Sequence, residues 1–287
     1  MRLISFETDS GASYGYLEDR GVIDLGQRFG AKYDDLRTLL EANGLAEAKA
    51  HTTTDVDYRL DEISYLPVVP NARRIICIGL NYREHAAEMG LKFPENPSLF
   101  SKWPDALVGH EGDIVCPRAS KNFDFEGELA FIIGKPGRHI SVTEAMEYVA
   151  GYTPFLDGSV RDFQGHSVIA GKNFQHSGAC GPWLTTVDEI NNPMQLRLTT
   201  RLNGEIVQDE STEQLYYSVP EIIAYISQFT PLRPGDVIAT GTPSGVGAGR
   251  KPPLWMQPGD RIAVEISGLG ELANNVTAET DWSDVGT

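Results

Sequence analysis

Two glutamates stand one residue apart in Phe125-Glu126-Gly127-Glu128-Leu129, just ahead of the apolar run at residues 129–133. On an extended strand, residues i and i+2 project to one face. Glu126 and Glu128 would therefore sit side by side at the edge of a core, where two like charges need a cation or a shared proton. The plain alternative is a solvated strand face. Further along, Asp157 closes the apolar stretch that ends Phe155-Leu156, and Arg161-Asp162 follows. Alone, Asp157 reads as a turn residue; as a third carboxylate it would complete an oxygen-only site. No cysteine or histidine cluster accompanies the three acids, so the donor types favour Mg²⁺, Mn²⁺ or Ca²⁺ over zinc.

A second constellation lies in Asn81-Tyr82-Arg83-Glu84-His85-Ala86-Ala87-Glu88. If this segment is helical, His85 and Glu88 are i,i+3 neighbours. A carboxylate beside an imidazole orients it and raises its basicity, which suits a general base that activates water. A surface ion pair is the competing reading. The glycine-rich stretch at residues 240–249, TGTPSGVGAG, lacks the Lys-Ser/Thr ending of a phosphate loop. Its Gly245-x-Gly247 has Arg250 where a third glycine would stand, so a nucleotide fingerprint is not supported. Its backbone N–H groups and threonine hydroxyls could instead face a carboxylate; a simple turn is the other possibility.

The elements that must position these residues are short. Residues 2–25 read as two or three strands and residues 34–45 as one amphipathic helix ending near Gly44. The prolines of residues 65–70 impose extended chain. They mark the expected boundary between a small β-rich N-terminal domain, 1–70, and a larger domain, 71–287. Strands are expected at 73–78, 113–116, 126–133, 151–157, 183–187, 237–239 and 261–266, with helices at 81–89 and 219–229. Asn203-Gly204 is a strong two-residue hairpin signal between 195–202 and 205–209. Strands outnumber helices without regular alternation, so the fold class is α+β and β-dominated, and a doubly wound parallel sheet is disfavoured.

Composition narrows the partners. The 287 residues carry a net charge of −16, which repels nucleic-acid backbones and anionic membranes. No apolar run approaches the ~20 residues of a membrane span, and the N-terminal residues do not read as a signal peptide. Cys77, Cys116 and Cys180 are odd in number and widely spaced. That argues against a disulfide framework and for a reducing, cytoplasmic compartment.

Taken in order, these pieces resemble the fumarylacetoacetate hydrolase family, its acylpyruvase and hydroxyheptadienedioate isomerase-like branch in particular. The shared run begins at Ile78-Gly79-Leu80-Asn81-Tyr82 with His85. It passes through Phe123 to Leu129, Gly151-Tyr152-Thr153 to Asp157, Arg161-Asp162 and Gly171-Lys172-Asn173-Phe174. Gly181-Pro182-Trp183, Asn203-Gly204-Glu205, Pro234-Gly235-Asp236 and Thr240-Gly241-Thr242-Pro243 come next, and Gly268-Leu269-Gly270 closes it.

The resemblance implies a mixed β-sandwich roll with short peripheral helices, a homodimer, and a divalent metal: Mg²⁺, or Mn²⁺ or Ca²⁺. It places the metal-binding carboxylates on Glu126, Glu128 and Asp157, and the water-activating pair on His85 and Glu88. Arg161, Gln164 and Lys172 become the substrate- and oxyanion-contacting residues, and Thr242 the holder of the substrate carboxylate. Leu156 and Gly158 flank Asp157 where the family commonly has Asn and a small apolar residue, so the surroundings of that ligand differ. The implied reaction is metal-dependent hydrolysis of a carbon–carbon bond in a 1,3-diketo acid such as an acylpyruvate. Isomerisation of a 2-hydroxy-dienoate and decarboxylation of an oxaloacetate-like acid are the alternatives, and a non-catalytic binder on the same fold is the remotest.

Overall fold

The strand Gly127–Ile133 is buried at every position, which marks it as internal with both faces covered. It pairs antiparallel with Val149–Leu156 on one side and with Val237–Ala239 on the other. Leu129, Phe131 and Ile133 enter one apolar core, while Ala130 and Ile132 enter a second. The run at 129–133 is continuously apolar for that reason. The computed structural model describes residues 1–18, 20–51, 55–88, 90 and 92–281.

Around this strand runs a 12-stranded mixed sheet. Its main path is Gly21–Asp24, Gly11–Glu18, Arg2–Thr8, Leu184–Thr186, Val149–Leu156, Gly127–Ile133, Val237–Ala239, Ile75–Gly79 and Ser98–Lys102. A five-stranded sheet is ordered Glu205–Ser211, Arg197–Leu202, Arg261–Ile266, Gly270–Ala278 and Ile114–Cys116. The first core lies between the two, where Leu129 and Phe131 share one apolar cluster with Leu198, Val264 and Leu272. Asn203 and Gly204 both adopt positive φ, 54° and 84°, as a tight two-residue hairpin turn requires. The architecture is α+β and strand-dominated, as expected.

The helices are short and peripheral. Val219–Phe229 starts at a Ser218/Glu221 capping box and buries Ile222, Ile223 and Ile226, matching the expected span. The single helix expected over 34–45 is instead two. Leu36–Glu41 ends where Asn43 turns to φ 54°, and a separate helix, Leu45–Ala50, begins after Gly44. Residues 1–70 share sheet and core with the rest of the chain. Arg2 and Leu3 pair with Thr185 and Leu184, and Leu36, Leu39 and Leu40 pack in the same cluster as Ala130 and Ile132.

Candidate active site

Strand register builds the carboxylate cluster. Gly127 lies opposite Leu156 and Glu128 opposite Phe155. The residues just beyond are drawn together, and Asp157 N donates to the Glu126 carbonyl at 2.9 Å. Glu126, Glu128 and Asp157 thus present carboxylate oxygens within 4.8 Å of one another, all buried. Glu126 precedes its strand and Asp157 follows its own, so the site sits where two central strands end.

Three basic side chains surround the acids. Lys172 Nζ donates to Glu126 Oε2 at 2.6 Å and to Asp157 Oδ2 at 2.8 Å. Lys102 Nζ donates to Asp157 Oδ1 at 2.8 Å, to the Lys172 carbonyl at 2.6 Å and to the Gly158 carbonyl at 3.3 Å. Arg161 Nη2 lies 2.8 Å from Glu126 Oε1, but off the line of its N–H bonds. It is an ion pair without an aligned hydrogen bond. Burial alone would push the Glu126 carboxyl up; Lys172 and Arg161 overcome it and hold the group down at about 2.

Glu128 is the exception. Among the described residues no ion pair includes it, and its partner is the Gly241 N–H at 2.8 Å. Burial, then Asp157 and Glu126, push its carboxyl well above the ordinary range. A buried carboxylate left without a cation, in a set of three offering only hard oxygen donors, fits a divalent ion of the Mg²⁺, Mn²⁺ or Ca²⁺ type. Glu126, Glu128 and Asp157 would hold it.

The helix Arg83–Glu88 carries the expected base. His85 is buried, and its Nδ1 lies 3.3 Å from Glu88 Oε2. The Gly245 N–H faces the same carboxylate, at 3.1 and 3.2 Å from its two oxygens. The entry to this helix is fixed by Asn81, whose buried amide donates to the Tyr217 and Thr240 carbonyls and accepts from Tyr217 N. His85, Glu126, Arg161, Gln164, Lys172 and Thr242 all line one cavity of about 460 Å³, whose other walls include Ile78, Leu80, Phe100 and Val168.

Two expected contacts have different local chemistry. The Thr242 hydroxyl donates to the Gly127 carbonyl and accepts from Gln208 Nε2, each at 2.8 Å. Its proton is committed inside the protein and is not free for a substrate carboxylate. The Gln164 carbonyl oxygen accepts from Arg161 Nη1 at 2.9 Å, which leaves its amide N–H₂ as the donor available to the cavity. Sequence reasoning missed Lys102, Asp124 and Gln208, all buried and all bonded to site residues or their backbone. Lys102 had one readable signal: a lysine closing the strand Ser98–Lys102, two residues after Phe100.

The family model described as Fumarylacetoacetate (FAA) hydrolase C-terminal matches residues 74–277. Oxaloacetate tautomerase Fahd2a, mitochondrial, of Rattus norvegicus is 43% identical over 218 residues, 75% of this chain and 70% of the relative. Oxaloacetate tautomerase YisK of Bacillus subtilis (strain 168) is 41% identical over 226 residues, 76% of this chain and 75% of the relative. Among solved structures, the fumarylacetoacetate hydrolase of Exiguobacterium antarcticum superposes with a TM-score of 0.82 at 35% identity, covering 97% of this chain and 100% of that one. Maleylpyruvate hydrolase of Sphingobium sp. SYK-6, in complex with manganese (II) and pyruvate, gives 0.80 at 30% identity, with 98% and 100% covered.

Proposed function

The chain belongs to the fumarylacetoacetate hydrolase family, and from that premise we propose that it catalyses the keto–enol tautomerisation of an oxaloacetate-type 2-oxo acid. The weight moves here from hydrolysis, the first expectation from sequence, to proton transfer. The two relatives at 43% and 41% identity bear the name oxaloacetate tautomerase.

The observation that carries this reading is that likeness, joined to the buried His85–Glu88 pair with His85 lining the same cavity as Glu126. Lys172 spends two of its three N–H donors on Glu126 and Asp157, which leaves one that either reaction could use. Tautomerisation needs only a base that can carry one proton between carbon and oxygen.

A divalent cation held by Glu126, Glu128 and Asp157 would draw electron density from the keto oxygen and so acidify the adjacent C–H. Arg161 Nη2, buried in the cavity wall and without an aligned hydrogen bond, would receive the substrate carboxylate. With Glu88 accepting from Nδ1, His85 keeps Nε2 as its basic nitrogen. In enol formation His85 takes a proton from the carbon next to the keto group and returns one to the keto oxygen. Ketonisation is the reverse, and no atom is gained or lost. Ile78, Leu80, Phe100 and Val168 would give the substrate an apolar wall.

Hydrolysis of a 1,3-diketo acid is the second reading, favoured by the likeness to maleylpyruvate hydrolase. One pair of assays separates them in Mg²⁺- or Mn²⁺-supplemented protein: decay of the enol ultraviolet band of oxaloacetate, and release of pyruvate from an acylpyruvate. Acceleration of the first without the second supports tautomerisation. Pyruvate release with no effect on the enol band would reverse the order. We further propose a homodimer, as the family likeness implies, and a reducing compartment, since Cys77, Cys116 and Cys180 are all free thiols. The sequence-based expectation was the cytoplasm, and the rat relative is named as mitochondrial.

A further inference from the structure

The amides of the glycine-rich loop do face carboxylates, and those carboxylates belong to the protein. Gly247 N and Ala248 N donate to Asp124 Oδ1 and Oδ2 at 2.7 and 2.9 Å. Asp124 is fully buried. It also accepts from Phe125 N and, through Oδ2, from Arg161 Nε, each at 2.8 Å. Four donors thus converge on one carboxylate. Gly247 is required there: a Cβ on it would lie 2.6 Å from Asp124 Oδ1 and 1.8 Å from the Leu254 carbonyl. Three residues from Ala248, the Gly245 N–H faces the Glu88 carboxylate. A Cβ on Gly249 would lie 2.4 Å from that carboxyl group.

Arg161 has no freedom left at Nε, which Asp124 holds, or at Nη1, which Gln164 holds. Nη2 is the nitrogen that remains: it is buried 2.8 Å from Glu126 Oε1 without an aligned hydrogen bond, on a residue that lines the cavity. A guanidinium is planar and rigid, so fixing two of its nitrogens fixes the direction of the third. Without Asp124, Nε loses its anchor, and Gln164 at Nη1 alone restrains the guanidinium beside Glu126.

We propose that Asp124 is a positioning residue for the substrate carboxylate. It locks Arg161 so that Nη2 faces a bound 2-oxo acid, and it ties that arginine to the loop that holds Glu88. The inference rests on the reading of this cavity as a 2-oxo-acid site. Loss of a buried charge-assisted bond of this kind is expected to weaken carboxylate binding by about 10- to 100-fold.

The test measures pyruvate binding to Mn²⁺-loaded protein by calorimetry, which needs no turnover. Asp124→Asn keeps the volume but removes the charge. It is expected to lose about 10- to 100-fold in pyruvate affinity, and in turnover to raise KM more than it lowers kcat. Because Asp124 acts through Arg161, Asp124→Asn combined with Arg161→Gln should bind pyruvate no worse than Arg161→Gln alone, within about twofold. Additive losses, or wild-type affinity in Asp124→Asn, overturn the proposal. If Asp124→Asn does not fold, Arg161→Lys carries the test. It keeps the charge without the fork, and is expected to lose as much affinity as Arg161→Gln; wild-type binding by Arg161→Lys overturns the claim of a locked guanidinium. Failure of the wild-type protein to bind pyruvate would instead remove the 2-oxo-acid reading, and this proposal with it.

Discussion

Glu128→Gln is the substitution for which stability and metal binding are expected to move in opposite directions. Glu128 is 1% exposed. Its carboxyl is pushed well above the ordinary range by burial, then by Asp157 and Glu126. A carboxyl raised on folding stabilises the metal-free fold only while protonated. That contribution is complete below the unfolded pKa of about 4.3 and is lost as pH rises through the folded value. Over that window each pH unit removes about 1.4 kcal/mol from the metal-free protein. Glutamine has nearly the same shape, can accept from the Gly241 N–H, and has no charge to bury. In chelator at pH 8 the variant should therefore melt above wild type. The rise should be a few degrees, because about 1 kcal/mol moves Tm by roughly 2–4 °C in a chain of this length. Added Mg²⁺ reverses the order. Wild type gains about 2.7 kcal/mol at a hundred times its Kd, while the variant, lacking one anionic ligand, gains almost nothing. Paired melts by circular dichroism, with chelator and with Mg²⁺, read both effects. A variant that melts below wild type in chelator, or that Mg²⁺ stabilises as much as wild type, would refute the assignment of Glu128 as the carboxylate that lacks only its cation.

His85→Ala should remove roughly two to four orders of magnitude of turnover, the usual worth of a positioned base, with Mg²⁺ affinity unchanged by calorimetry because His85 is outside the carboxylate set. Glu126 is held down at about 2 because Lys172 and Arg161 outweigh the effect of burial. Its contribution to stability is present above the unfolded carboxylate value and is lost as pH falls from about 4.3 toward 2, so Glu126→Gln should flatten the acid limb of a melting-temperature profile. Sedimentation velocity at micromolar concentration is expected to give a dimer; a monomer would contradict that part of the proposal.

What could be read from residues alone followed from how local the signal was. Glu126 and Glu128 were legible because strand alternation fixes their relation within three residues, and His85 and Glu88 because helical spacing does the same. Asn203-Gly204 named its own turn. Contacts that cross the chain carried no such signal. Lys102 reaches Asp157 across 55 residues of sequence and Asp124 reaches Ala248 across 124. Nothing in either neighbourhood says which distant group will arrive. The glycines of residues 241–249 were visible, and their amides were assigned to a carboxylate. That the carboxylates are Glu128, Glu88 and Asp124 depends on packing. The helix expected over 34–45 was too long because periodicity at Leu36, Leu39 and Leu40 cannot register the left-handed turn at Asn43.

The central claim is that this cavity moves a proton between carbon and oxygen of a 2-oxo acid. Proton NMR of oxaloacetate in D₂O, with Mg²⁺ and catalytic amounts of protein, tests it most directly. Deuterium should enter the carbon next to the keto group faster than with Mg²⁺ alone, His85→Ala should remove the acceleration, and no pyruvate should accumulate beyond the protein-free control. Exchange no faster than with Mg²⁺ alone, or exchange left intact in His85→Ala, would contradict the account.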